Sequence, residues 1–153
     1  KWNNTLKNHL WQVRFILPEP VHTTFSEDMN TIIERKFNPF YDIRKNLPKK
    51  RGIEAKTNFA PMQRYVGAQG VGIITKGLTE YEVFENTLSV TLLRSVGVIS
   101  NPKNPARSTP AGPPLEVPDA QQLGENIAEF SVGFFDKDDY EKFVTLVFPK
   151  IVL

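Results

Sequence analysis

The polar–apolar pattern of the chain runs mostly in steps of two, in short bursts separated by turn residues. In Leu10-Trp11-Gln12-Val13-Arg14-Phe15-Ile16-Leu17, the residues Trp11, Val13 and Phe15 alternate with Gln12 and Arg14 until Pro18-Glu19-Pro20 stops the run. A period of two predicts a strand with one buried and one wet face, which puts Trp11 in the core. Residues 31–37 predict a second strand, and 38–57 a basic, exposed connection. Residues 58–67 offer Met62 and then Tyr65 or Val66 as inward positions, with Pro61 weakening the ladder at the start.

The centre of the chain is clearer. Gly70-Val71-Gly72-Ile73-Ile74-Thr75-Lys76-Gly77 is a short apolar strand between glycines. Residues 80–85 alternate, with Tyr81 and Val83 on one face and Glu80, Glu82 and Glu85 divided from them. Glu85-Asn86-Thr87 reads as a tight turn into residues 88–95, where Leu88, Val90 and Leu92 point inward. By the same alternation Arg94 falls on the buried side near the strand's end. The three segments read as a meander of neighbouring antiparallel strands.

Residues 101–118 are different, because Pro102, Pro105, Pro110, Pro113, Pro114 and Pro118 forbid a central strand or a helix. An excursion this long is usually functional or a linker, so it reads as an interface loop or as a crossover. Residues 127–135 predict a strand with Phe130, Val132 and Phe134 inward. Asp138 with Glu141 three residues on suits a short helix start, and 143–147 a strand. Short strands between turn signals, with little helix, predict an all-β antiparallel sandwich.

Composition narrows the chemistry. A chain of 153 residues fits one domain and buries enough surface to fold without cross-links. With no cysteine, thiol catalysis, cysteine-ligated zinc and a disulfide framework are excluded, and a cytoplasmic location is the expectation. A net charge of +2 gives no reason to expect nucleic acid as a partner. The basic cluster Lys49-Lys50-Arg51, beside Arg44 and Lys45, is a solvated loop or a polyanion site. No apolar run reaches the ~20 residues of a membrane helix. The opening Lys1-Trp2-Asn3-Asn4 and the apolar last residues suggest a piece of a longer polypeptide.

The segment Gly77-Leu78-Thr79-Glu80-Tyr81-Glu82-Val83, followed by Leu88-Ser89-Val90-Thr91-Leu92-Leu93-Arg94-Ser95-Val96-Gly97, resembles the C-terminal region of family 38 α-mannosidases. The likeness is to the bacterial branch that includes mannosylglycerate hydrolases. Ala111-Gly112-Pro113, Val117-Pro118-Asp119-Ala120-Gln121, residues 58–63 and residues 10–15 fit the family's order. The resemblance covers roughly residues 8–135. It departs where the family often has a Cys and a His, near Leu123 and Asn126, and where His9-Leu10-Trp11-Gln12 replaces a more basic run.

The resemblance implies a galactose-mutarotase-like supersandwich, residues 1–153 forming a single domain with 101–118 as an excursion. It implies an intact enzyme that hydrolyses α-mannosides through a glycosyl-enzyme intermediate, using two carboxyls and a zinc or other divalent ion. That metal needs a His-x-Asp element, a second His and an Asp. His9 and His22 are the only histidines and neither stands in His-x-Asp, so the cofactor is expected in the catalytic domain. No catalytic residue is expected in this chain. The expected partner is the enzyme's own catalytic domain, with a second copy of the chain also open. Arg94, Tyr81 and Glu80 are the candidates to approach the substrate or that interface. Each has an ordinary alternative: Arg94 paired within the domain, Tyr81 in the core, Glu80 solvating its face beside Glu82. Two other function classes stay open: an independent carbohydrate-binding sandwich with exposed aromatics, and a purely structural interface domain with a large apolar patch.

Overall fold

The computed structural model describes residues 1–29, 31–48, 53–107, 109–134 and 137–139. Among them there are thirteen strands, three short 3-10 turns and no α-helix. All the pairings are antiparallel, as alternation broken by prolines and glycines dictates. The chain divides into two compact units. One, the sheet unit, holds residues 12–40, 58–92 and 128 onward; the other, the ribbon unit, holds 1–11, 41–57 and 93–127.

The sheet unit contains two sheets, save for Leu10, Trp11, Leu93 and Arg94 at the ends of two of the strands. The first orders β13 (Glu129–Phe134), β7 (Val71–Lys76), β6 (Tyr65–Ala68), β3 (Thr23–Asp28) and β4 (Thr31–Lys36). The second orders β2 (Leu10–Ile16), β9 (Thr87–Arg94), β8 (Glu80–Phe84) and β5 (Phe59–Pro61). Pro61, which cannot donate to a ladder, sits on the edge strand β5. Val66, Ala68 and Ile73 from the first sheet share a core with Ala60, Tyr81, Val83, Leu88 and Val90 from the second. Each fully buried aliphatic side chain contributes roughly 1.5–3 kcal/mol. Two further contacts join the sheets: Thr24 Oγ1 and Tyr81 Oη share a hydrogen bond of 2.7 Å, and the Phe15 and Phe130 rings meet edge to face at 6.0 Å.

The expected meander is corrected here. β8 and β9 do form a hairpin across Glu85-Asn86, but β7 belongs to the opposite sheet. Gly77-Leu78-Thr79 makes that crossing, with Gly77 at φ 79°, where a side chain would be strained. A second correction concerns β13. Val132 pairs with Ile73 and so lies on the core side, yet Phe130, Val132 and Phe134 are all exposed, Phe134 at 94%. They lie on the end strand of the sheet. β3 was not anticipated from its sequence, TTFSED, because it buries polar groups. Glu27 is buried, and Arg64 closes over its carboxylate through Nε at 2.9 Å. Burying a charge in this way requires such a partner. The anticipated helix start at Asp138 is a 3-10 turn, Lys137–Asp139; the remainder of that expectation, and the Lys49–Arg51 cluster, lie outside the described residues.

The ribbon unit is built from two small ladders. β1 (Trp2–Asn4) pairs with β12 (Gly124–Asn126), and β10 (Val98–Ile99) with β11 (Leu115–Glu116). The second ladder closes the base of the proline-rich excursion. A backbone bridge between Glu54 and Arg107 ties the excursion to residues 53–55, and the two side chains form an ion pair.

Candidate functional site

The ribbon unit is held by a polar knot rather than an apolar core. Gln121 ends the 3-10 turn Pro118–Gln121 and is buried. Its Oε1 accepts from the Asn8 backbone N–H at 2.8 Å and from the Ser95 hydroxyl at 2.6 Å, while its Nε2 donates to Asn8 Oδ1 at 2.9 Å. The buried Asn4 amide donates to the Gln121 carbonyl at 2.9 Å. Gly97 must lack a side chain, since a Cβ there would lie 2.5 Å from Gln121 Nε2. Asn8 takes a left-handed φ of 55°, which asparagine tolerates better than most residues.

Beside this knot lies a cleft of about 600 Å³, within the ~300–1,000 Å³ range of small-molecule sites. Its walls are Asn8, His9 and Leu10 on one side and residues 94–98 with Asn101 on the other. Arg94 lines it, exposed rather than on the buried side. The alternation rule slips at the end of β9, where Leu93 is buried and Leu92 only half so. Trp11, expected in the core, is 38% exposed and meets the His9 ring edge to face at 5.8 Å. Both His9 ring nitrogens are shielded from solvent and have no hydrogen-bond partner among the described residues.

The other two candidates lie in the sheet unit. Tyr81 is fully buried, with its hydroxyl on Thr24, so its position is that of a core residue. Glu80 is half-buried and accepts from Thr91 Oγ1 at 2.7 Å; Glu82 accepts from Gln12 Nε2 at 3.0 Å. The cleft residues that sequence reasoning missed are Asn8, Ser95 and Asn101, together with Gln121 behind them. The signal for Gln121 lies in Val117-Pro118-Asp119-Ala120-Gln121. Among the described residues no group of three His, Cys, Asp or Glu is placed to hold a metal ion. His22 is exposed and the His9 nitrogens are shielded, so these residues do not fit a catalytic metal.

These features define, among the described residues, an all-β module carrying a polar cleft. No protein-family model matches the chain. It is 31% identical over 132 residues to a "Putative mannosylglycerate hydrolase" of Halalkalibacterium halodurans, a match covering 84% of this chain and 12% of that protein. Its fold is similar to an α-mannosidase from Enterococcus faecalis V583, with TM-score 0.65 and 24% identity over 95% of this chain and 15% of that one. It is also similar to a glycosyl hydrolase family 38 protein from Enterococcus faecalis, with TM-score 0.61, 23% identity and the same coverage. The chain thus spans about an eighth of the curated relative and corresponds to one β-rich region of such proteins.

Proposed function

We propose that this chain is the C-terminal β-domain of a retaining α-mannosidase of glycoside hydrolase family 38, of the supersandwich type. In this role it supports the catalytic domain and forms part of the pocket edge. The observation that carries the reading is the 31% identity to the Halalkalibacterium protein across 84% of this chain. Mannosylglycerate is then a candidate substrate of the whole enzyme.

The site chemistry fits a supporting role. Retaining hydrolysis needs two carboxyls about 5–5.5 Å apart, one to attack and one to move protons. Glu80 and Glu82 are instead next-but-one neighbours on β8, each hydrogen-bonded to a neutral side chain. In this reading the nucleophile, the acid/base and a divalent metal belong to the catalytic domain.

The test compares the polypeptide that contains this segment, the same polypeptide lacking it, and the segment alone, on an aryl α-mannoside. Metal-dependent turnover is expected from the first and from neither of the others. Turnover by the segment alone, or none from the intact polypeptide, overturns the proposal. Titrating the segment with mannose separates off an independent carbohydrate-binding module, which would bind the sugar in isolation.

A further inference from the structure

We propose that the proline-rich excursion and the β10–β11 ladder at its base form a docking surface for an acidic protein face that carries an apolar anchor. The occupant is the part of the polypeptide outside this chain. That choice of occupant rests on the enzyme reading above; the chemistry of the surface rests on this chain alone.

The surface starts from a ladder with no buried side. β10 and β11 have two residues each, and all four are exposed. Ile99 and Leu115 are direct cross-strand partners, so their side chains share one face. They are 46% and 52% exposed. Neighbouring aliphatic side chains left in water gain nothing for the fold, and a second surface that covers them does gain. Beside them lies a groove of about 550 Å³ whose apolar lining is Val96, Val98, Ile99, Pro105 and Pro110. Lys103, exposed, completes its wall. An apolar pocket with a charged rim is the anatomy of a protein interface built around an anchor residue.

Charge gives the sign of the partner. The ribbon unit has eleven Lys and Arg against five Asp and Glu, where the sheet unit has eight against twelve. Three of its five acids are already neutralised: Asp42 by Arg44, Glu54 by Arg107 and Glu125 by Lys1. The Glu54–Arg107 pair lines the groove and cancels there. Lys103 has no ion pair among the described residues, so it sets the sign of the rim. A cationic rim selects and steers a surface bearing carboxylates. A nucleic acid or a sulfated polysaccharide would press charged groups against the aliphatic lining, at a desolvation cost that a protein face avoids.

The loop is also held in shape before anything binds. Asn101 and Asn104 side chains each accept from a backbone N–H two residues on, at 2.9 and 3.0 Å. The Ala55 N–H donates to the Ala106 carbonyl at 2.8 Å. Prolines fix φ at positions 102, 105 and 110. A pre-shaped surface loses little freedom on docking. The chain matches 12% of its curated relative and 15% of the Enterococcus α-mannosidase, so in the enzyme reading most of the polypeptide is available as the partner.

The test is acylation of the Lys103 amine, read by mass spectrometry, in the 153-residue chain and in the intact polypeptide. Modification at least roughly tenfold slower in the intact polypeptide is expected, and faster again in high salt, which screens the rim. Ile99→Asp or Leu115→Asp in the intact polypeptide should restore the rate of the isolated chain. Both positions are exposed, and unaltered hydrogen exchange in β7 and β8 certifies the fold. Equal rates in chain and polypeptide, protection that ignores salt, or protection that survives both substitutions overturns the proposal. Protection of the isolated chain at rising concentration, or by heparin, assigns the surface to a second copy or to a polyanion and also overturns it. Turnover of an aryl α-mannoside by the same polypeptide separates the two readings. Protection without turnover sinks the enzyme reading alone, and turnover without protection sinks this one alone.

Discussion

The sheet unit and the ribbon unit of the same chain are held by different forces. The sheet unit excludes water with Tyr81, Ile73, Leu88, Val83 and Val90, all fully buried. The ribbon unit buries Asn4, Ser95 and Gln121 instead and leaves Leu6, Ile99, Leu115, Leu123 and Ile127 exposed. An apolar core loses stability in proportion to the area and volume removed. A polar knot loses it when one partner leaves another unsatisfied, and the loss is local. The cleft belongs to the second kind of region, where donors can be aimed without filling the space they face.

The largest expected effect tests the first half of that contrast. Leu88→Ala removes a fully buried side chain between the sheets and should cost about 3–4 kcal/mol in denaturant unfolding. Loss of protection should spread through β6, β7, β8 and β9 in hydrogen exchange. A loss under about 1 kcal/mol would mean that the shared core is not what holds the sheets together.

Next comes Gln121→Ala, expected to cost about 2 kcal/mol by leaving the Asn8 backbone N–H and Oδ1 without their partners, while the Ser95 hydroxyl keeps the residue 121 backbone carbonyl. Here the readout is the place of the change: faster exchange at residues 4–9 and 95–97, with β7 and β8 unaltered. An equal loss of protection in β7 would break the contrast, since the knot would then belong to one cooperative unit with the core.

The parts of this arrangement legible in the sequence were those where one face is apolar and the other polar. β8 and the inward set Leu88 and Val90 could be read from alternation, and so could β4 and the Met62, Tyr65 and Val66 positions. Alternation carries no information about which sheet a strand joins, so the crossing at Gly77 to Thr79 was read as a meander. It also fails where polar groups are buried in pairs. Thr24 is inside because Tyr81 meets it, and Glu27 because Arg64 does, and both partners are far away in sequence. Arg94, by alternation on the buried side, is exposed at the cleft wall, because the inward alternation breaks between Leu92 and Leu93. Gln121 stayed unread because its three partners lie at positions 4, 8 and 95.

A smaller effect asks whether the apolar region also relies on a polar contact. Thr24→Val keeps the shape but leaves the Tyr81 hydroxyl without its 2.7 Å partner inside the core. The cost should be about 1 kcal/mol, read as a shift in the unfolding midpoint. Tyr81→Phe in the same background should recover much of it, because removing both partners leaves neither unmet. A double variant no more stable than Thr24→Val would assign the loss to packing.

The smallest expected effect lies at the outer part of the ribbon unit. Asp42 precedes the 3-10 turn Ile43–Lys45 and accepts from the Arg44 backbone N–H at 2.9 Å and from its guanidinium at 3.0 and 3.1 Å. The hydrogen bonds from Arg44 hold the Asp42 carboxyl below its ordinary value of 3.8. Because the folded value is the lower one, this contribution is present above the ordinary carboxylate range. It fades as pH falls through the folded value. The pair is fully exposed, so added salt should screen it. Asp42→Asn should therefore differ from the parent only above that range and only at low ionic strength, with exchange at Arg44 to Asn46 as the readout. Glu27, enclosed by Arg64, should show little salt dependence in the same experiment. A difference at Asp42 that persists in high salt would mean that the turn is held by the geometry of the cap and not by its charge, the mode of stabilisation already seen in the knot around Gln121.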